Sequence, residues 1–326
     1  MKPTLKEPFI NSAHNNNSPG HRIKWCPGIH CAQFFQILIL FAALVVSGCE
    51  QSDPVAGWPA GVREIEYLSQ ADSTYQPALF YQPDISQRTP LLVALHTWSG
   101  DYLQKAGAAY AEWCIENNWT MIHPNFRGPN HSPEATGSPL VIGDIVSAVK
   151  YARTHANIDS TRIYLVGSSG GGYTALMMLG KHPDIWAGVS AWVPIADLRS
   201  WYYQMTAAGS KYAQDIINSC GGKPGASTKV DEEYRQRSPI THLARHIRTP
   251  VDINVGIHDG HTGSVPVSHS IMAFNALAQP EAEITESQTE FLVEEQSVPE
   301  ELESDISDKT YGEKQPLFRR TSENVR

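Results

Sequence analysis

For its length the chain has little charge and few cysteines: 326 residues carry 5 Cys, and Asp, Glu, Lys and Arg together make up 18%. Cysteines this sparse, at no ligand spacing, give neither a disulfide framework nor a zinc motif. No apolar run reaches the roughly 20 residues of a comfortable transmembrane helix. The phosphate-cradling pattern G-x-x-x-x-G-K-[ST] is missing, and so is an internal repeat. Basic residues are wholly absent between Glu281 and Asp308, where acidic ones cluster, so nothing in the charge distribution resembles a nucleic-acid footprint. The net charge of -9 originates largely in that stretch, which reads as a solvated loop or exposed helix. What remains, 41% hydrophobic, is enough for one large buried core.

The first segment reads as an address. Ala32–Val46 (AQFFQILILFAALVV) is apolar, follows Arg22 and Lys24, and ends in Val46-Ser47-Gly48-Cys49. That ending resembles the bacterial lipobox. Residues 1–48 are therefore expected to be a lipoprotein signal with a polar N-terminal extension, Cys49 the lipidated residue, and 49–60 a linker. The implied location is exported and membrane-anchored, since acyl chains hold a protein to a bilayer by burying methylenes. An uncleaved anchor and an accidental apolar stretch are the alternatives, and the length before the apolar run sits poorly with a signal. Cys114 and Cys220 are expected to stay unpaired.

The strongest signal lies at Arg162–Leu179, RIYLVGSSGGGYTALMML. A β-rich run, Ile163 to Val166, stops at Gly167-Ser168-Ser169-Gly170-Gly171, and helical spacing of Tyr173, Leu176 and Met177 begins at once. The pentapeptide alone is weak evidence, and a glycine-rich turn in another α/β sheet is the alternative. Strand, turn and helix in succession make it a nucleophile elbow with Ser169 at the tip. A strained turn needs neighbours with almost no side chain. The helix that starts there aims its free amides at any oxyanion, and Gly170 N–H is the first expected donor.

Around this elbow, strands and helices alternate over 61–326, which argues for a mostly parallel sheet with helices on both faces. The reading is an antiparallel lead-in at Val62–Leu68 and Ala78–Tyr81, then strands at Leu91–His96, Thr120–Pro124, from Arg162, Trp186–Val193 and Val251–Ile257. Helices are expected at Gly107–Asn117, Pro139–His155 and Val265–Ala278. Residues 197–247 form a cap-like insertion whose Trp201, Tyr202, Tyr203 and Met205 either cover the active site or simply fill the core. Residues 281–310 are the acidic segment.

The residues resemble the catalytic domain of the prolyl oligopeptidase family, which has the α/β-hydrolase fold. The resemblance rests on Gly167, Ser169, Gly171, Gly172 and Tyr173 in the elbow, on His123-Pro124-Asn125-Phe126-Arg127-Gly128 with Asp144 in the following helix, and on Val255-Gly256-Ile257-His258-Asp259. It spans roughly Leu91–Ala278 and lacks the family's N-terminal propeller. It implies a serine hydrolase without cofactor or metal, acting on a small-molecule or peptide substrate.

Asp259 is the expected acid, downstream of the nucleophile at a strand end, with Asp252 and Asp197 as alternatives. The loop His96-Thr97-Trp98-Ser99-Gly100 departs from the family's His-Gly-Gly, and either Thr97 or Trp98 is expected to supply the second oxyanion amide. The base is the open position. No histidine follows His269, and Asn324-Val325-Arg326 reads as the approach to a further strand, so the expectation is a sequence cut short of its histidine. His269 is the substitute, ten residues beyond the acid; His258 and His261 flank Asp259 too closely. The functional expectation is a peptide or ester bond cleaved through a Ser169 acyl-enzyme, with carboxylesterase or sugar-ester deacetylase as the alternative. The reading from another class is a membrane-tethered binding protein with a relic or truncated site. Oligomeric state is not legible.

Overall fold

The Thr89–Leu95 run, TPLLVAL, is buried at every position, as befits a strand covered on both faces. It is β3, at the centre of a seven-stranded sheet of order β1-β2-β4-β3-β5-β6-β7. The computed structural model describes residues 55–303, 306–308, 311, 313 and 315–326; the expected signal, Cys49 and the linker up to residue 54 lie outside the described residues. Strands β1 (Arg63–Leu68) and β2 (Tyr75–Tyr81) form the antiparallel lead-in, and β2 joins β4 (Thr120–Pro124) antiparallel. From β4 across β3 to β5 (Ile158–Ser168), β6 (Gly188–Trp192) and β7 (Val251–Asn254) every pairing is parallel.

Helices cover both faces. On one lie α2 (Pro139–His155), α3 (Gly170–Lys181) and α7 (Val267–Leu277), sharing a core with Phe80, Val93, Leu165 and Val189. On the other lies α1 (Ala108–Asn117), whose Ala111 and Cys114 meet Leu79, Leu92 and Met121. Local chemistry sets the ends: Ser138 caps α2 by accepting from Val141 N–H, with Pro139 at the first helical position. Cys114 and Cys220 are both buried and free.

The insertion folds as three helices, α4 (Leu198–Ala207), α5 (Tyr212–Cys220) and α6 (Thr228–Gln236). Trp201, Tyr202 and Met205 are buried, whereas Tyr203 is exposed. In the acidic segment, α8 (Glu286–Glu295) starts from a capping box between Thr285 and Gln288 and buries Leu292. It is thus an anchored surface helix rather than a loop. Among the described residues no helix is long and apolar enough to cross a membrane.

Several boundaries shift by one to four residues from those expected, and two of the shifts have a visible cause. Strand β5 begins four residues earlier, at Ile158, because Thr89 pairs with it before a register shift that the polar Asp159-Ser160-Thr161 stretch conceals. Strand β7 stops at Asn254 instead of Ile257, since the Asp259 carboxylate and the Gly256 amide close a turn there. Asn324–Arg326 do run along the outer edge of β7: Val251 N donates to Asn324 O (2.7 Å) and Ile253 N to Arg326 O (2.7 Å).

Candidate active site

Ser169 stands between β5 and α3 with φ 56° and ψ -117°, a conformation a side-chain-bearing residue adopts only under constraint. The constraint is visible. Ser169 N donates to Trp192 O at the end of β6 (2.8 Å), and its carbonyl accepts from Tyr173 N (2.8 Å). The turn closes so tightly that a methyl on Gly167 would lie 2.3 Å from the Gly171 carbonyl carbon, and one on Gly171 would lie 2.6 Å from Leu95 O. Side-chain-free neighbours are a packing requirement here.

Gly170 is buried against the loop after β3: a methyl on it would fall 2.3 Å from Trp98 N. As the first residue of α3 it has no intrahelical acceptor for its N–H. Of the two candidate partners the structure separates one from the other. Thr97 N–H is committed to Gln104 Oε1 (3.0 Å), which also accepts from the Thr97 hydroxyl (2.8 Å). Among the described residues Trp98 N–H makes no hydrogen bond, while Trp98 O accepts from Asn130 N (2.8 Å). So two free amides, of Gly170 and Trp98, lie side by side next to Ser169, and the peptide carrying the second is held by its carbonyl.

The Trp98 side chain runs into the cap. Its indole meets Trp201 edge-on (4.7 Å between centroids), lies 5.8 Å from Tyr173, and donates to Asp215 on α5 (3.3 Å). Further ties hold the cap: Thr136 to Ser219 (2.8 Å), Trp201 Nε1 to Ser264 O (2.7 Å), and Arg237 to the carbonyls of Pro133, Ala135 and Thr136. Asn130, Gln104, Asp215 and Arg237 escaped the sequence reading, because no local pattern marks a clamp made by residues far apart in the chain. Behind the loop His96 stacks on Phe126 (3.9 Å, 2°).

The expected acid and base are not brought together. Asp259 lies just beyond β7, half-buried, and its Oδ2 accepts from Gly256 N–H (2.7 Å). His258 and His261 turn to α8, meeting Gln296 Oε1 (3.0 Å) and Val293 O (2.6 Å). The alternatives have other work: Asp252 pairs with Arg326, and Asp197 caps α4 by accepting from Ser200 N–H (2.6 Å).

His269 requires a correction. It is fully buried in α7; Nδ1 accepts from the Ala196 (3.2 Å) and Asp197 (3.5 Å) amides, and Nε2 donates to Gln204 Oε1 (2.8 Å). Both nitrogens are spent pinning the start of α4, and burial depresses the imidazole to about 3. Pro266 starts α7, and its spacing turns the ring into the core instead of toward the elbow. Among the described residues no imidazole hydrogen-bonds to Ser169, and no group of three His, Cys, Asp or Glu could hold a metal.

Buried neutral imidazoles make stability depend on pH. His123, fully buried, is likewise lowered to about 3, by burial first and the nearby His96 second. Unfolded histidines titrate near 6.5, so below that pH the unfolded chain binds protons these two cannot take. Their contribution is full above about 6.5 and is lost as pH falls toward 3. The unfolding free energy should drop by about 1.4 kcal/mol per pH unit for each histidine in that window. Urea titrations from pH 7 to 4 check this; His269→Gln should flatten the slope by one proton, and an unchanged slope would refute the burial argument.

Strained serine, glycine-lined turn, helix N-terminus and adjoining free amides on a mostly parallel sheet are the features of the α/β-hydrolase fold. Comparison adds that residues 141–296 match the model of the Prolyl oligopeptidase family. It is 22% identical over 250 residues to the acylamino-acid-releasing enzyme of Rattus norvegicus, covering 70% of this chain and 32% of that one. It is 22% identical over 147 residues to feruloyl esterase B of Thermothelomyces thermophilus, covering 42% and 50%. The chain thus spans about a third of the first relative's length and half of the second's. Among solved structures, the Pyrococcus horikoshii acylaminoacyl peptidase superposes with TM-score 0.52 at 19% identity, over 66% of this chain and 34% of that one. A puromycin hydrolase superposes with TM-score 0.54 at 17% identity, over 67% and 33%.

Proposed function

We propose that the chain is a serine hydrolase in which Ser169 Oγ attacks the acyl carbon of an ester or peptide bond. The serine proton leaves to an imidazole, the carbonyl oxygen takes the negative charge, and the Gly170 and Trp98 amides hold that charge. Collapse expels the alcohol or amine, which takes the proton, and water then releases the acyl group from Ser169. The observation that carries this reading is the pair of free amides beside a strained serine. Asp259 is the carboxylate placed at the strand end, where it would orient an imidazole and stabilise its cation.

Because His269 is committed elsewhere, the 326-residue chain should turn over slowly, at the ~10³–10⁴-fold enhancement left by oxyanion hole and binding when a triad member is lacking. Intact mass after exposure to a fluorophosphonate is the test. The expected result is a slow adduct that disappears in Ser169→Ala and forms faster, saturably, when imidazole is added. A folded chain that gives no adduct even with imidazole would sink the hydrolase reading in favour of a binding protein with a relic site. Similarity to a feruloyl esterase favours ester substrates and similarity to acylamino-acid-releasing enzymes favours acylated peptides. Imidazole-supplemented assays on aryl esters against acyl-peptide amides separate the two.

A further inference from the structure

Between β7, α7 and the C-terminal segment lies a cavity of about 390 Å³, within the size range of small-molecule sites. Its walls are apolar, from Ile253 and Val255 on β7, Ile271 and Phe274 on α7, and Leu292 and Phe318 opposite. Ser169, Gly170 and Trp98 are not among its lining residues, so it is separate from the site described above.

Two polar features in this lining are unexplained by the fold. Ser270 is 96% buried on α7, yet its hydroxyl has no hydrogen-bond partner among the described residues, although a helical serine can bond back to the preceding turn. Arginines supply the other. Arg319 pairs with Asp308 (2.7 Å) and Arg326 with Asp252, whereas Arg320 donates only to the main-chain carbonyls of Ala282 (2.9 Å) and Glu281 (3.4 Å). Its guanidinium therefore has no carboxylate partner among the described residues.

An apolar chamber lined by an orphaned hydroxyl and a cation without an anion matches one class of ligand. We infer that this cavity binds a medium-chain carboxylate, its alkyl chain among the β7 and α7 side chains and its head group taken by Arg320 and Ser270. Burying the chain supplies the driving force. The two donors favour the ionised acid over a neutral alcohol of the same length. Trp192 and Val193 also line the cavity, and Trp192 O is the acceptor for Ser169 N–H, so the occupant would abut the backbone that holds the elbow.

Octanoate and octan-1-ol are the probes, with the Trp192-dependent part of tryptophan emission (parent minus Trp192→Phe) and thermal midpoint as readouts on the purified chain. Saturable octanoate binding is expected, unchanged in Ser169→Ala, which separates this site from acyl binding at the nucleophile. Arg320→Gln should weaken octanoate about tenfold, the size of a charged hydrogen bond, and leave octanol unaltered. Ile271→Trp, which fills the chamber, should abolish both. Should that variant fail to fold, the selective loss in Arg320→Gln decides alone. The inference is overturned by the absence of saturable binding, by equal weakening of acid and alcohol in Arg320→Gln, by undiminished binding in a folded Ile271→Trp, or by loss of binding in Ser169→Ala.

Discussion

Gly170→Ala is expected to slow fluorophosphonate acylation of Ser169, measured with imidazole present, by about 10²–10³-fold, the usual cost of losing one oxyanion donor. A methyl there would lie 2.3 Å from Trp98 N and 2.4 Å from Trp98 Cα, both main-chain atoms. Something must move. On one side is the first turn of α3, fixed by the Ser169 and Tyr173 main-chain bonds; on the other is the Trp98 peptide, held by Asn130 and by an indole wedged against Trp201. The loop is the weaker of the two, so the Trp98 amide should swing away while the sheet stays intact. Ser99→Ala, one residue further along the loop, is the control. Circular dichroism should be native for both. Acylation of Gly170→Ala within threefold of the parent would show that the Trp98 amide does not serve the oxyanion.

The elbow was legible because its signal is local: strand, glycine-flanked serine and helix sit within eighteen consecutive residues, and geometry forbids most other side chains there. The same holds for α2, where Ser138-Pro139 at one end and a regular apolar stripe announce both start and face. The clamp on Trp98 was not legible. Asn130 and Asp215 lie 32 and 117 residues from it, and an isolated Asn or Asp in a sequence carries no mark of a partner so distant. His269 misled for a related reason. Its position beyond the acid satisfies chain order, but whether an imidazole on a helix faces a cleft or the core depends on how that helix is rotated. The ring here serves Ala196, Asp197 and Gln204. In Thr97-Trp98 the loop position was readable but not which amide was free, because that choice is made by a glutamine seven residues away.

Arg127→Leu should cost about 3–5 kcal/mol of unfolding free energy at pH 8, as expected when one partner of a buried ion pair is removed. Arg127 sits at φ 76° in the turn after β4, between Phe126 and Gly128, which also have positive φ. It sends Nε and Nη2 to the two oxygens of Asp144 on α2 (2.7 and 2.9 Å) and Nη1 to Asp72 in the β1–β2 turn (2.8 Å). The Asp144 side chain is wholly inaccessible. Burial raises its carboxyl above the ordinary range, against the opposing pull of Arg127. Without the guanidinium that rise should grow. A carboxyl whose folded pKa exceeds its unfolded one is favourable while protonated and costly once ionised, so the deficit of the variant should widen as pH climbs above the ordinary carboxylate range and shrink as pH falls back toward it. Adding Asp144→Leu removes the stranded charge and should recover much of the loss. Urea titrations of the single and double variants at pH 5 and 8 measure all three effects. A deficit under 1 kcal/mol, or one indifferent to pH, would mean that the ion pair is not what holds the β4 turn to α2. That turn follows the strand next to β3, so its loosening would reach Asn125, whose carbonyl lies 2.8 Å from His96 Nε2, and through His96 the loop that carries Trp98.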